Sequence, residues 1–240
     1  MNVFYCPVAE GSEVILSPEE SVHCIRVLRM GRGDKVQVID GSGGYFGAVI
    51  LEPDPKRCRI QILEPIAHDK ERKTRIRMAI APTKSMDRFE WFIEKAVEIG
   101  IDAITPLLCD RSERRMLKTD RLQKLILSTM KQAIIPYRPT LNELTPFKNF
   151  ISGTGDPTVN RFIASCEDRG RKKLKDIYSA GLDATILIGP EGDFSPGEIA
   201  LAVQHGFAPV SLGPNRLRTE TAGIVACCML NLLAEEEGDG

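Results

Sequence analysis

An alternation of short apolar runs with amphipathic stretches, from Arg75 to Ala234, restricts the fold of this chain more than any other feature. The apolar runs predict strands at residues 75–81, 103–108, 162–166, 185–188 and 209–212. The amphipathic stretches predict helices at residues 86–100, 120–135, 171–180, 196–205 and 219–234. Strands that alternate with helices form mostly parallel sheets covered by helices on both faces. We therefore expect an α/β domain in this part of the chain.

The first 70 residues have a different pattern. Ser17 is followed by a proline, and Glu20 lies three residues after Ser17. This pattern predicts the start of a helix that runs to about residue 30. Turns rich in glycine and proline then separate three strand-like runs, at residues 35–40, 45–51 and 58–63. These elements predict a small antiparallel sheet or barrel that carries one helix. The polar stretch 64–74 is the natural linker, so we predict two domains, residues 1–70 and 71–240.

The composition excludes several classes of protein. Of the 240 residues, 42% are apolar and 27% are charged, which is typical of a globular chain and not of a disordered or coiled-coil one. The amino terminus lacks the pattern of a signal peptide, and the longest apolar run, residues 224–230, is stopped by Asn231. We therefore expect a cytoplasmic protein that is neither secreted nor membrane-spanning.

Cysteine, histidine and charge give further limits. The seven cysteines include no Cys-x-x-Cys pair and the three histidines lie far apart in sequence, so no metal site is expected. The net charge of −1 conceals local segregation, because residues 70–77 hold five basic residues and one acidic residue. A polyanionic partner is therefore compatible with the nearly neutral total charge.

Two loops that follow predicted strands are unusual, and ligands of open parallel sheets bind at the carboxyl ends of the strands. The first, residues 189–194, reads Gly-Pro-Glu-Gly-Asp-Phe and precedes a capping box formed by Ser195 and Glu198. The second, residues 213–222, reads Gly-Pro-Asn-Arg-Leu-Arg-Thr-Glu-Thr-Ala. A strand-to-helix turn is the ordinary explanation for the first loop, and an ion pair at a helix end for the second. Neither loop alone names a reaction.

Common nucleotide and hydrolase fingerprints are absent from the sequence. It contains no Gly-x-Gly-x-x-Gly, no Walker-type Gly-Lys-Ser/Thr and no Gly-x-Ser-x-Gly. Phosphoryl transfer, Rossmann redox chemistry and esterase chemistry are therefore disfavoured.

Taken together, the two loops carry a family resemblance. Their sequences are Leu187-Ile188-Gly189-Pro190-Glu191-Gly192 and Leu212-Gly213-Pro214, the latter continuing as Leu217-Arg218-Thr219-Glu220-Thr221-Ala222. The chain resembles the 16S ribosomal RNA uracil-N3 methyltransferases of the RsmE type, in the SPOUT superfamily. Further similar blocks are His23 with Val27-Leu28-Arg29, Gly33-Asp34, Lys84 with Asp87-Arg88 and Glu90, and Glu94-Lys95-Ala96 with Glu98-Ile99-Gly100.

The resemblance implies a fold and a cofactor. The fold is α/β, with an N-terminal PUA-like β-barrel followed by a C-terminal SPOUT-type α/β domain that contains a trefoil knot. In this family the knot holds S-adenosylmethionine. The positions that the resemblance assigns to the donor pocket are Ile188, Gly189, Gly192, Leu212, Gly213, Leu217 and Thr219.

The resemblance also implies a reaction, the methylation of N3 of a uridine in 16S ribosomal RNA or in the small ribosomal subunit. We assign Arg218 to stabilising the anionic uracil, because a guanidinium is always charged, and Glu220 to orienting Arg218 or accepting the proton. Phosphate contacts are expected from Arg26, Arg29, Arg32, Lys84, Arg88, Arg111, Arg114 and Arg115. A solvated helix face is the alternative for each of these basic residues.

A homodimer that packs through the knot region is implied as well. The last helix, with Val225, Cys228, Met229 and Leu232 apolar, is expected to serve that interface or the core. One segment departs from the family, because residues 131–139 read Lys-Gln-Ala-Ile-Ile-Pro-Tyr-Arg-Pro where many members have an acidic, glutamine-rich stretch before Ser, Gly and Arg. Two alternative functions are a non-catalytic RNA-binding protein on the same fold and an α/β enzyme that acts on a small nucleotide.

Overall fold

A computed structural model describes residues 2–7, 13–67, 74–153, 159–166, 171–179 and 181–235. The chain forms two compact units. The small unit comprises Met1–Glu71 and Leu127–Arg138, and the large unit comprises Arg72–Ile126 and Pro139–Gly240. Most of the predicted linker, residues 68–73, lies outside the described residues, as do residues 70–73 of the basic cluster, whereas Arg75 and Arg77 are described.

The small unit is built on a five-stranded sheet with the order β1-β3-β4-β5-β2. Its strands are β1 (Val3–Tyr5), β2 (Glu13–Ile15), β3 (Lys35–Ile39), β4 (Tyr45–Glu52) and β5 (Arg59–Pro65). β1 pairs with β3 in parallel, and the other pairs are antiparallel. The three predicted strands are confirmed, whereas β1 and β2, of three residues each, were not predicted. Alternate residues of the long strands bury a core that includes Phe4, Leu16, Val36, Ile50 and Ile60.

The predicted first helix begins where expected and then changes its geometry. Helix α1 (Pro18–Val22) is capped by the Ser17 hydroxyl, which accepts a hydrogen bond from the Glu20 amide at 3.2 Å. It continues as a π-helix over His23–Val27 instead of running as an α-helix to residue 30. Arg29 follows with a φ of +57°, a left-handed conformation that side-chain-bearing residues seldom adopt.

A segment distant in sequence completes the small unit. Helix α3 (Thr119–Ala133) ends in this unit, and the Lys131 ammonium donates to a Glu20 carboxylate oxygen at 2.5 Å. After the helix, the Gly43 amide donates to the Pro136 carbonyl at 3.0 Å. A Cβ on Gly43 would lie 2.5 Å from the Tyr137 ring, so the turn needs glycine at this close approach. The sequence-based boundary places this segment in the second domain.

The large unit is built on a sheet of parallel strands, as the alternating pattern predicts. The order is β11-β13-β10-β12-β6-β7-β8, and β9 pairs with β7. The strands are β6 (Ile76–Ile80), β7 (Ala103–Leu108), β8 (Thr140–Leu141), β9 (Thr145–Pro146), β10 (Asn160–Ala164), β11 (Lys172–Lys173), β12 (Ala184–Ile188) and β13 (Ala208–Ser211). The helices besides α3 are α2 (Met86–Ile99), α4 (Phe147–Ser152), α5 (Leu174–Ile177), α6 (Pro196–Gln204) and α7 (Thr219–Glu235).

Two stretches of the large unit differ from the prediction. The helix expected over residues 171–180 is a two-residue strand followed by the single turn α5, because Leu174 alone in that turn is fully buried. Residue 180 lies outside the described residues. The short elements β8, β9 and α4 were not predicted, since runs of two to six residues carry little periodicity.

Helices α2 and α7 pack side by side and run in the same direction. Along their seam Phe92 lies against Gly223, where a Cβ would come within 2.6 Å of the ring. Further along, the Cys227 thiol contacts the Ala96 carbonyl at 3.9 Å. At the far end the Asn231 amide donates to the carbonyl of the residue that caps α2, Gly100, at 3.2 Å. Glycine at position 223 therefore allows the two helices to approach closely.

None of the helices in the described part of the chain is long and apolar enough to cross a membrane. The described residues also contain no group of three or more His, Cys, Asp or Glu side chains that could hold a metal ion. The trefoil knot implied by the resemblance stays a prediction.

Candidate active site

The candidate site lies at the carboxyl edge of the parallel sheet, where the loops after β10, β12 and β13 meet. These three strands are neighbours, because β10 lies between β12 and β13. Their loops enclose two adjoining cavities of about 230 and 290 Å³. Ligand sites in proteins are typically concave and mostly apolar, with a few placed polar groups, and this edge has that character.

The first cavity is formed mainly by the loop after β12. Four of the seven predicted donor-pocket residues line it, namely Ile188, Gly189, Leu217 and Thr219. Arg218, the predicted catalytic residue, lines the same cavity. The two loops are joined here, because the buried Thr219 hydroxyl donates to the Gly189 carbonyl at 3.1 Å.

The second cavity is formed mainly by the loop after β13. Leu212, Gly213 and Leu217 line it, so Leu217 borders both cavities. Gly213 has a φ of +143°, a conformation that L-residues rarely adopt, yet a Cβ at this position would meet no atom within 4 Å. The backbone conformation, and not crowding, is therefore what requires glycine at this position.

Gly192 has a different place from the other predicted donor residues, because it lines neither cavity. Its carbonyl accepts a hydrogen bond from the Arg111 guanidinium at 2.8 Å. The same guanidinium reaches the Phe194 carbonyl at 3.3 Å. Arg111 therefore holds the loop at Gly192 from outside the cavities. The assignment of Gly192 to the donor pocket stays a prediction.

Sequence reasoning missed several residues that line the cavities. Ala164 and Cys166, at the end of β10, border both cavities, as do Arg216 and Ala222. The strand itself was predicted, so the rule that ligands bind at the carboxyl ends of parallel strands could have found its last residues. Asp193 borders the first cavity in a left-handed conformation, φ +62°.

A network of short hydrogen bonds fixes the loop after β12. Asp193 accepts from the Cys166 amide at 2.8 Å, which ties this loop to the end of β10. The predicted capping box is confirmed, since Ser195 and Glu198 exchange hydrogen bonds at the start of α6. The Ser195 hydroxyl also donates to Asp110, at 2.7 Å, in the loop after β7. These hydrogen bonds hold the loop after β12 in its conformation.

The two predicted catalytic residues differ sharply in their surroundings. Arg218 is exposed, and its guanidinium makes no hydrogen bond or ion pair with the described residues. Glu220 is buried, and its closest cationic partner is Arg88, whose Nε lies 3.8 Å from Glu220 Oε1. Within the described residues, no hydrogen bond or ion pair joins Arg218 to Glu220, so the structure does not place Glu220 as the residue that orients Arg218.

Apart from Arg88, which pairs with Glu220, the predicted RNA-binding residues fall into three groups. Arg111 and Arg114 donate to main-chain carbonyls, and Arg114 reaches the carbonyl of Lys84 at 2.6 Å. Lys84 itself forms an ion pair with Glu113 at 2.8 Å, and this hydrogen bond raises the pKa of Lys84. The remaining four besides Arg88, exposed and without a partner in the described part of the chain, are Arg26, Arg29, Arg32 and Arg115. The RNA-binding role of all eight residues stays a prediction.

Comparison with known proteins decides the family. A family model described as an RNA methyltransferase domain matches residues 70–231, well over half of the chain. The chain belongs to the RNA methyltransferase family. A second model, described as an RNA methyltransferase PUA domain, matches residues 16–63 of this RNA methyltransferase. The two matched regions confirm the predicted PUA-like domain ahead of a methyltransferase domain.

Individual relatives agree with this assignment. The RNA methyltransferase is 31% identical over 228 residues to the ribosomal RNA small subunit methyltransferase E of Synechocystis sp., covering 92% of this chain and 74% of the relative. The structure of a probable rRNA-methyltransferase from Porphyromonas gingivalis is similar with a TM-score of 0.89 and 42% identity, covering 98% of this chain and 99% of that one. The resemblance to the RsmE-type enzymes is therefore confirmed.

Some similar structures carry a ligand, and one of them is informative here. It is the ribosomal RNA small subunit methyltransferase E from Neisseria gonorrhoeae bound to S-adenosyl methionine, with a TM-score of 0.87 and 28% identity over 98% of both chains. The cavities of the present RNA methyltransferase fit such a group chemically. Apolar side chains such as Ile188 and Leu217 suit an adenine ring, and Glu191 and Asp193 offer carboxylates to amino and hydroxyl groups.

Proposed function

We propose that this RNA methyltransferase transfers a methyl group from S-adenosylmethionine to N3 of a uridine in 16S ribosomal RNA of the small ribosomal subunit. The observation that carries the proposal is the pair of glycine-proline loops that enclose the two cavities beside Arg218. The N3 position and the uridine come from the resemblance to the RsmE-type enzymes. The names of the relatives support ribosomal RNA of the small subunit as the substrate class.

The donor would bind along the loops after β12 and β13. Gly189, Gly213 and Thr219 allow or fix the close approach of these loops, while Ile188, Leu212 and Leu217 supply apolar surface. Gly192 supports the first loop from outside, through its contact with Arg111. When bound, S-adenosylmethionine supplies an electrophilic methyl group on a positively charged sulfur.

Arg218 supplies the charge that the uracil requires. The imide nitrogen first loses its proton to solvent, which leaves a negative charge shared between N3 and the two uracil oxygens. An exposed guanidinium on the cavity wall is suited to stabilise that charge. The nitrogen then takes the methyl group, and the sulfonium of the donor is left as a neutral thioether. Because N3 lies on the Watson–Crick edge, the target base must be unpaired or extruded before it reacts.

The small unit and the last helix have supporting roles in the proposal. Arg26, Arg29 and Arg32 present exposed guanidinium groups in the PUA-like region and would bind RNA phosphates. Helix α7 keeps Val225, Cys228, Met229 and Leu232 partly or largely exposed, with Leu232 at 61%. An apolar helix face of this kind suits the expected homodimer, and sedimentation of the parent beside Leu232→Glu tests it.

Two measurements test the proposed function. Calorimetry should show one S-adenosylmethionine bound per chain. Incubation with unmodified small subunits should give an N3-methyl mark, mapped as a stop of reverse transcription because the methyl group blocks the Watson–Crick edge. Absence of donor binding would refute the proposal and favour a non-catalytic RNA-binding protein on the same fold. Donor binding with methylation at another atom or base would refute the uracil-N3 assignment alone.

A further inference from the structure

The inference concerns Glu220, a carboxylate near the start of the seam between α2 and α7. The seam is regular, because Gly223, Cys227 and Asn231 of α7 successively meet Phe92, Ala96 and Gly100 of α2. Glu220 lies one turn before Gly223, and Arg88 lies one turn before Phe92. The close packing of the two helices therefore fixes Glu220 and Arg88 opposite each other.

The two side chains differ in access to solvent. The Glu220 side chain is 8% exposed, whereas that of Arg88 is 48% exposed, and Arg88 Nε lies 3.8 Å from Glu220 Oε1. No other ion pair of Glu220 occurs within the described residues. A buried carboxylate is costly unless it is paired, so Arg88 is the partner on which the burial of Glu220 depends.

The second oxygen of Glu220 argues against a direct part in proton transfer. Oε2 is buried and has no hydrogen-bond partner among the described residues. A general base must come within hydrogen-bond reach of the proton that it removes, and an atom closed to solvent does not meet that requirement in this conformation. This oxygen is instead available to Arg88, whose guanidinium can form a bidentate pair with a carboxylate.

Arg88 is linked to the first cavity through its neighbours in the structure. The first turn of α7 carries Glu220 immediately after Arg218 and Thr219, both of which line the first cavity. The loop before α2 contacts a residue of that cavity's lining, since the Lys84 amide donates to the Glu191 carboxylate at 2.9 Å. Arg88 itself lines neither cavity, and its half-exposed guanidinium lies beside residues that do, with donors left for an anion.

We propose that Glu220 is a positioning residue for Arg88, and that Arg88 binds a phosphate group of the target RNA at the rim of the cleft. This inference rests on the proposed function, because it takes RNA as the substrate. A guanidinium can bind the carboxylate with one edge and a phosphate with the other, since it carries five donors in a planar fork. Glu220 thus acts through Arg88 and not on the uracil.

A double-mutant cycle on RNA affinity tests the proposal. The variants are Arg88→Ala, Glu220→Gln and the two combined, and the probe is a small subunit reconstituted with unmodified 16S ribosomal RNA. Arg88→Ala should weaken RNA binding about tenfold and reduce its salt dependence by about one phosphate contact. Glu220→Gln should weaken it less, and the double variant should equal Arg88→Ala. Arg88→Lys should restore part of the affinity, and S-adenosylmethionine affinity should not change.

Arg121→Ala is the matched control. Like Arg88, Arg121 forms an ion pair with a glutamate, in its case Glu90 of α2, but its side chain is 75% exposed. It should bind RNA like the parent. Parent-like RNA affinity in Arg88→Ala would overturn the proposal, as would a Glu220→Gln effect that persists when Arg88 is absent. Thermal melts check folding, and Glu220→Asp replaces Glu220→Gln in the cycle if the latter unfolds. Failure of the parent protein to bind S-adenosylmethionine would refute the proposed function. The RNA affinities of the double-mutant cycle could still be interpreted in that case.

Discussion

Replacement of Gly213 tests how the second loop shapes the donor cleft. The residue has a φ of +143°, and a Cβ built on it would have open space around it. An added Cβ therefore strains the backbone without colliding with a neighbour. Strain of this kind costs of order 1–3 kcal/mol. If the loop changes its conformation to relieve this strain, S-adenosylmethionine affinity should fall by about 5- to 150-fold. The conversion takes about 1.4 kcal/mol as a factor of ten in affinity.

Two variants separate strain from crowding. Gly213→Ala and Gly213→Leu impose a similar backbone demand, because neither side chain is β-branched, so both should lose S-adenosylmethionine affinity to a similar extent in calorimetry. Gly197→Ala is the control, because Gly197 lies in α6 without a positive φ and its Cβ would meet only the Ser195 hydroxyl, at 3.9 Å. It should bind donor like the parent. Unchanged affinity in Gly213→Ala would refute the strain argument, and a much larger loss in the leucine variant would show that crowding dominates.

Four further outcomes are expected. Arg218→Ala should keep donor affinity but lose about a hundredfold or more in single-turnover methyl transfer, and a near-parent rate would contradict its role. Ile134→Gly should raise the free energy of unfolding by about 1 kcal/mol in urea titrations, because Ile134 is a β-branched residue with a φ of +55°; a decrease would contradict this. S-adenosylmethionine should protect the exposed thiol of Cys166 from iodoacetamide, and unchanged labelling would place the donor elsewhere. Arg29→Ala should weaken RNA binding and reduce its salt dependence by about one phosphate contact, with donor affinity unchanged as the control.

The cysteine experiment can be interpreted because the other thiols differ in accessibility. Burial raises the pKa of the Cys24 thiol to about 12, and it also raises the pKa values of Cys6, Cys58 and Cys109. These buried thiols stay protonated at neutral pH, and the thiolate is the reactive form. Mass spectrometry of labelled peptides would separate the labelling of Cys166 from that of Cys228, which is partly exposed.

Strong local patterns made much of the large unit predictable. Strand β7 occupies the predicted residues 103–108, and α2 ends at the predicted glycine, which has a φ of +108°. The two glycine-proline loops were found because they follow apolar strands, and the structure brings both to one edge of the sheet. Patterns of this kind depend on neighbours in sequence, which is why they can be read from it.

The features that sequence reasoning missed depend on distant partners. The lining of the cleft by Cys166 requires β10 to lie between β12 and β13, which periodicity does not specify. The pairing of Arg88 with Glu220 arises from the packing of two helices that are far apart in sequence. The π-helix at His23–Val27 has no composition signal that distinguishes it from an ordinary helix.

The contribution of Leu127–Arg138 to the small unit has a consequence for folding during synthesis. The Lys131–Glu20 contact and the backbone pairing of Gly43 with Pro136 both join residues whose synthesis is separated by most of the first half of the chain. Domains generally fold as units, with those at the amino terminus first. Here the first strands stay incompletely covered until the end of α3 has left the ribosome. Incompletely covered strands are exposed to aggregation. A nascent chain stalled before residue 127 leaves the ribosome should therefore be a better chaperone substrate than one stalled after residue 138 has left it.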